Sequence, residues 1–205
     1  MLCRYAVGVA SLRETQKLRT RRLLLDTALA CFQAKGYAAT TIDDIAGDAG
    51  TTRTTFYLHF SSKSQLMQAA IRDIDDVFTG ADDPPLSTVV ERGERALVEA
   101  WLYRKFDQWA DVRPQLVAAY QVAAVDPEIQ AGLDAWFEDV VGSIQEGLDR
   151  AGRFDAETRR IRAVLAFGQL EYLAKRWLRV GWAIEREICL QTLTDSWCHL
   201  LVREG

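Results

Sequence analysis

The sequence predicts an all-α protein with an N-terminal three-helix helix-turn-helix domain joined to a larger C-terminal helical domain. Three observations carry this expectation. Apolar residues recur at i, i+3, i+4 and i+7 along most of the chain, and no alternating stretch of useful strand length interrupts them. Proline and glycine are sparse, 4 and 13 in 205 residues, which suits long helices better than a loop-rich β fold. Charge and aromatic content divide the chain in two. Residues 1–63 hold nine basic and five acidic side chains, a net +4, and residues 64–205 hold sixteen and twenty-four, a net −8. All six tryptophans lie beyond residue 100. A basic head on an acidic chain is the charge layout of a modular nucleic-acid binder.

Residues 1–13 precede the periodic pattern and are expected to form a flexible arm, from which Arg4 and Arg13 could reach a minor groove. The first helix is expected over Glu14–Lys35, with Leu25, Ala28, Leu29 and Phe32 on one face and Gly36 as its stop. Thr41 can cap a second, short helix, with Asp44 three residues on as in a capping box, and Ile42, Ile45, Ala46 and Ala49 supply its buried face. Gly50 follows where a left-handed turn needs it. A third short helix begins near Thr52 and runs to His59, anchored inward by Phe56 and Phe60. The helix-turn-helix domain is thus placed at 14–62.

Ser61 and Ser62 cap a linker helix over 63–80, with Leu66, Ala70, Ile71 and Ile74 apolar. The run Thr79-Gly80-Ala81-Asp82-Asp83-Pro84-Pro85 is the clearest break in the chain. The larger domain, 86–205, is expected to hold helices over Ser87–Trp109, Arg113–Ala124, Pro127–Ala151, Asp155–Val180 and Ala183–Arg203. Pro127 sits where a first-turn proline is tolerated.

Several function classes are excluded. Hydrophobic residues make up 49% and charged residues 26%, an ordinary globular composition. No apolar run approaches a membrane span, no signal peptide is recognisable, and the protein is expected in the cytoplasm with reduced cysteines. The cysteines (Cys3, Cys31, Cys189, Cys198) form no CxxC, and the two histidines, His59 and His199, have no ligand spacing, so no metal site is expected. No GxGxxG, GxxxxGK[ST], GxSxG or HExxH is present; neither catalytic residues nor a cofactor are expected.

The informative stretch is the pair of short helices joined through Gly50. A helix that enters a major groove about 12 Å wide must be polar outside and apolar inside. Thr52, Arg53, Thr54 and Thr55 form a short polar run at the N-terminal end of the third helix, the end that reads bases, and Tyr57, His59 and Lys63 continue the polar series.

The segment from Thr40 to Lys63 resembles the DNA-binding head of the TetR family of transcriptional regulators. The resemblance rests on Thr41-Ile42 and Ile45-Ala46, the Ala49-Gly50 turn, Phe56-Tyr57 with His59-Phe60, and Lys63 opening the next helix. The approach Phe32-Gln33-Ala34-Lys35-Gly36-Tyr37 fits as well, and the likeness covers about residues 16–75. Thr51 departs from it, standing where a small apolar residue is commoner. Beyond residue 86 only length, helix count and the two long C-terminal helices match.

The resemblance implies roles. Arg53, Thr54 and Thr55 would meet base edges of double-stranded DNA, with Arg53 bidentate to a guanine, worth about 1–3 kcal/mol of discrimination. Tyr57, His59 and Lys63 would hold phosphates, Thr41 would cap its helix beside the backbone, and the helix starts at Thr41 and Lys63 would add N–H donors.

The larger domain would form a homodimer and enclose an inducer cavity. Leu165, Leu173, Leu190, Leu193, Trp197 and Leu201, with Leu200, are the expected dimerisation surface, a four-helix interface built from residues 155–203 of two chains. That would set two recognition helices on a palindromic operator. Trp101, Tyr103, Phe106, Trp109, Tyr120, Trp136, Phe137 and Tyr172 exceed ordinary core demand, and Gln121, Gln169, Glu171 and Arg176 are the candidate polar groups of a pocket for an aromatic or otherwise hydrophobic molecule. A population shift on ligand binding would splay the heads and release the DNA. A protein-interaction body without a ligand is the competing expectation; a large dry cavity would favour the sensor and a filled core the interaction module. The head does not encode whether transcription is repressed or activated.

Overall fold

The computed structural model describes residues 12–80 and 82–202. Within them every regular element is a helix: α1 (Leu12–Lys35), α2 (Ile42–Asp48), α3 (Arg53–His59), α4 (Lys63–Gly80), α5 (Leu86–Arg92), α6 (Arg95–Asp111), α7 (Arg113–Ala123), α8 (Pro127–Ala151), α9 (Ala156–Val180) and α10 (Arg186–Leu201). The chain divides into two compact units, residues 1–67 and 68–205, with the boundary inside α4. The arm expected at 1–13 falls mostly on residues 1–11, with Cys3 and Arg4, outside the described residues. Leu12 and Arg13 belong to α1.

In the head, α1 buries Leu24, Leu25, Ala28, Leu29 and Phe32, the face its period predicts, and α2 adds Ile45 and Ala46. The capping box of α2 forms: Asp44 N–H donates to Thr41 Oγ1 at 3.1 Å, and Thr41 N–H donates to Asp44 Oδ2 at 2.7 Å. Lys35 meets the same carboxylate at 2.8 Å and, with the Thr41 bonds, holds it well below the usual carboxylate range. The turn after α2 closes with paired bonds, Thr51 N–H to the Ala46 carbonyl and Gly50 N–H to the Gly47 carbonyl, around Gly50 at φ 64°. A Cβ is disfavoured at that left-handed position, so glycine sets the angle at which α3 leaves α2. Phe56 and Phe60, 0% and 1% exposed, lock α3 inward.

The body is a helical bundle whose main core joins α5, α6, α8, α9 and α10. A single helix expected over Ser87–Trp109 is instead two, α5 and α6. Gly93 adopts φ 64° and accepts the role of helix stop, its N–H bonded to the Val89 carbonyl, and Glu94 restarts the chain in extended geometry. The apolar period runs on through the break, which hid it. The last helix begins at Arg186, three residues later than expected.

Trp197 is fully buried, stacks on Trp101 at 5.4 Å and donates its indole N–H to the Ala166 carbonyl at 3.0 Å. This alters the expected partner surface. Leu190, Leu193, Trp197 and Leu201 are buried inside the protein's own core, and Leu173 packs against it. Each apolar face of α10 can be spent only once, and here α6 and α9 take it. Of the expected set only Leu165 is exposed, at 50%, on an outward stripe of α9 with Ile161 and Tyr172. Among the described residues Cys31, Cys189 and Cys198 form no disulfide, no helix is long and apolar enough to cross a membrane, and no group of side chains has metal-site geometry.

Candidate functional site

The outer face of α3 carries Thr52, Arg53, Thr54 and Tyr57, all exposed. Thr52 caps the helix: Thr55 N–H donates to Thr52 Oγ1 at 3.1 Å, and the two hydroxyls lie 3.0 Å apart. Arg53, the first helical residue, donates to Asp43 Oδ2 at 2.9 Å and to the Tyr57 hydroxyl at 3.4 Å. The Asp43 charge raises the guanidinium pKa further. The exposed pair has little strength in water, so it orients Arg53 without holding it. Leu58 is 73% exposed on the same short helix, which the polar reading of this helix missed. Its signal was a position off the Phe56–Phe60 phase.

Of the expected phosphate contacts, the Lys63 side chain is engaged by the head itself. The Lys63 ammonium donates to the Tyr37 carbonyl at 2.7 Å and to the Thr40 carbonyl at 2.6 Å, and lies 4.5 Å from the Tyr37 ring centre. It clips the loop before α2, and its burial lowers its pKa. His59 is half-buried, its carbonyl accepts from Arg21 at 3.1 Å, and its Nδ1 has no partner in the structure. Burial first, then Lys17 and Arg21, push its pKa down, which keeps the imidazole neutral at neutral pH.

The body holds a half-open cavity of about 310 Å³. Of the residues expected to line a pocket, Trp101, Trp109, Tyr120, Trp136 and Phe137 do, as does Glu171. Phe106, Gln169 and Tyr172 do not. Phe106 sits behind Trp109, ring centres 4.6 Å apart, and against Trp182 at 5.1 Å. On α9 the inward positions are Ala163, Ala166, Phe167, Leu170 and Ala174. A turn of 100° per residue puts Gln169 and Tyr172 on other faces, and Tyr172 is 67% exposed.

The sequence reading missed Phe78, Asp82 and Lys105 in the cavity wall. Lys105 is buried and saturated: it donates to the Phe78 carbonyl, to Asp82 Oδ1 at 2.7 Å and to Gln108 Oε1 at 3.2 Å. Burial lowers its pKa against the opposing pull of Asp82. The signal for it was a charge on the α6 core face, midway between Trp101 and Trp109. Two indole N–H groups are also anchored by carboxylates, Trp101 to Asp82 at 2.9 Å and Trp136 to Asp75 at 3.1 Å. These bonds fix the rings by their N–H edges, while Trp101 stacks on Trp197 and Trp136 on Phe78.

Comparison with known proteins agrees with the geometry of the head. Residues 24–70 match the family described as bacterial regulatory proteins, tetR family. The HTH-type transcriptional repressor KstR2 of Rhodococcus jostii is 30% identical over 176 residues, 80% of this chain and 82% of that protein. The "Probable acrEF/envCD operon repressor" of Escherichia coli is 29% identical over 123 residues, 60% of this chain, and the match spans about half (49%) of that protein's length. Among solved structures, a SmeT–triclosan complex shares the fold with a TM-score of 0.74 at 22% identity, over 91% of this chain and 93% of that one. A helix-turn-helix head with these relatives has one assignment: the chain belongs to the TetR family of DNA-binding transcriptional regulators.

Proposed function

We propose that the protein is a ligand-responsive transcriptional repressor of the cytoplasm that binds a palindromic operator as a homodimer and is released by a small aromatic or hydrophobic molecule. The observation that carries this reading is the aromatic cavity of about 310 Å³ in the body. Its size is at the lower end of the roughly 300–1,000 Å³ typical of small-molecule sites. A body that served only protein interaction would have its core filled, so the cavity supports the sensor. Repression is supported by the names of the relatives.

In the head, Arg53 with Thr54 and Thr55 reads bases, and Thr41, Thr52, Tyr57, His59 and Lys63 set the head against the backbone. The second copy packs on the outward stripe of α9, where Ile161, Leu165 and Tyr172 are at least half exposed. Such apolar exposure on one helix face suits a self-complementary two-fold contact. Two recognition helices then meet half-sites about 34–36 Å apart or somewhat more.

Release is a population shift. α4 is one continuous helix from Lys63 to Gly80, and its later turns supply Asp75, Phe78 and Thr79 to the cavity wall. A ligand that prefers one placement of those turns shifts the helix that starts in the head.

The test is binding of the full chain to DNA from upstream of its own gene, wild type against Arg53→Ala, at two salt concentrations. Specific, salt-dependent binding that the variant loses is expected. A folded protein that binds neither this DNA nor any member of a random-sequence selection would overturn the repressor reading.

A further inference from the structure

The cavity wall carries more carboxylates than cations. Asp75, Asp82, Asp139 and Glu171 contribute to it, against the one ammonium of Lys105. Lys105 has given its three N–H groups to the Phe78 carbonyl, Asp82 and Gln108, and has none left for an anion. The wall therefore offers charge to a cation and no uncommitted positive charge to an anionic ligand.

At the opposite end Glu171 is met by Lys175, one turn further along α9. The Lys175 ammonium also stands 4.8 Å from the centre of the Tyr120 ring and 6.0 Å from that of Phe137. A cation within about 6 Å of ring faces is drawn to their quadrupoles. The Tyr120 pKa is raised by burial and by the Glu171 charge, so the phenol stays neutral. Tyr120 and Phe137 line both the cavity and a depression outside it, and Lys175 lines only the outer one. A side-chain ammonium of the protein thus occupies, from outside, a cation position built from one carboxylate and two rings. It is held loosely: the Lys175 side chain is 48% exposed, against 22% for Glu171. A pair one turn apart with its cation exposed contributes little, so Lys175 can swing into water and leave the part-buried Glu171 behind.

We propose that the effector is a compact planar aromatic monocation, whose charge replaces the Lys175 ammonium at Glu171 while its rings lie among Trp136, Phe137 and Tyr120. This rests on the reading of the cavity as the effector site. The cavity volume suits two or three fused rings, and the Trp101 and Trp136 indole N–H groups are already committed to Asp82 and Asp75, so recognition comes mainly from ring faces and one charge.

The experiment compares two probes of nearly equal shape, N-methylacridinium and neutral acridine, at mildly alkaline pH. Binding to the full chain is read by tryptophan fluorescence quenching, since Trp101, Trp109 and Trp136 line the site. The cation is expected to bind at least about tenfold more tightly than acridine. Glu171→Gln should bring the two affinities to within about threefold, whereas Lys175→Met should tighten the cation severalfold by removing its competitor. Acridine binding as well as or better than its cation overturns the charge assignment and leaves a neutral-ligand effector site standing. Failure of both probes to bind overturns the charge assignment and the effector-cavity reading together. Weaker cation binding in Lys175→Met would also overturn the exchange, and that variant keeps the idea open to refutation if Glu171→Gln folds poorly.

Discussion

The short helices of the head and the large rings of the body are set by different kinds of contact, although Lys63 and Arg21 also reach across the head. In the head, helix ends are set by partners three residues away: Thr41 with Asp44, Thr52 with Thr55, Ser62 with Gln65. In the body, polar groups reach across the fold: Trp197 to the Ala166 carbonyl, Trp136 to Asp75, Arg113 to the Leu178 carbonyl, sequence separations of 31, 61 and 65. Short-range caps place a short helix at a defined angle and leave its outer face free for a partner. Long-range bonds to indoles and guanidiniums hold large rings apart and can leave space between them. The first construction suits a rigid reading surface and the second a chamber.

The contrast is most sharply tested by first removing one buried and one exposed side chain of the body. Trp197→Ala is expected to cost about 3–5 kcal/mol in denaturant unfolding, since it empties a fully buried, stacked and hydrogen-bonded site. Leu165→Ala, on the exposed stripe of α9, should instead weaken self-association in sedimentation experiments while changing subunit stability by no more than about 0.5 kcal/mol. A Trp197 variant that folds normally but dissociates would restore α10 as the partner surface.

In the head, Arg53→Ala is predicted to lose about 1–3 kcal/mol of specific DNA binding with its helical content unchanged. Lys63→Met should lower unfolding stability by about 1–2 kcal/mol, because the Tyr37 and Thr40 carbonyls lose their donor. If it weakened only DNA binding, with no loss of stability, the clip would be secondary to a phosphate contact. Thr41→Ala removes half of the capping box, for about 1 kcal/mol in the same measurement.

The smallest effect is on acid stability. The folded-state pKa of His59 is lowered, so the unfolded chain binds the proton more readily. Its contribution is constant above the unfolded value of about 6.5 and stability falls as pH drops below it. His59→Gln should flatten that decline in melts taken across the mildly acid range, and an unchanged slope would assign the decline to other groups.

The sequence by itself determined most of the head. The caps, the Ala49-Gly50 turn and the inward Phe56 and Phe60 are local signals, each acting within a few residues, and they reappear in place. It also determined that the body is helical. Only the tertiary structure decided which apolar face meets which. Leu190, Leu193 and Trp197 have the spacing of a partner surface and of a core face alike, and α6 and α9 claim them. Gly93 breaks a helix whose apolar period continues beyond it, because its left-handed φ is invisible in the pattern. Lys105 reads as a surface charge and is buried, because the Phe78 carbonyl and Asp82, 27 and 23 residues away in the chain, converge on it with the neighbouring Gln108. The cavity belongs to the same class: it depends on where rings from five helices stop short of each other, and no single segment carries that distance.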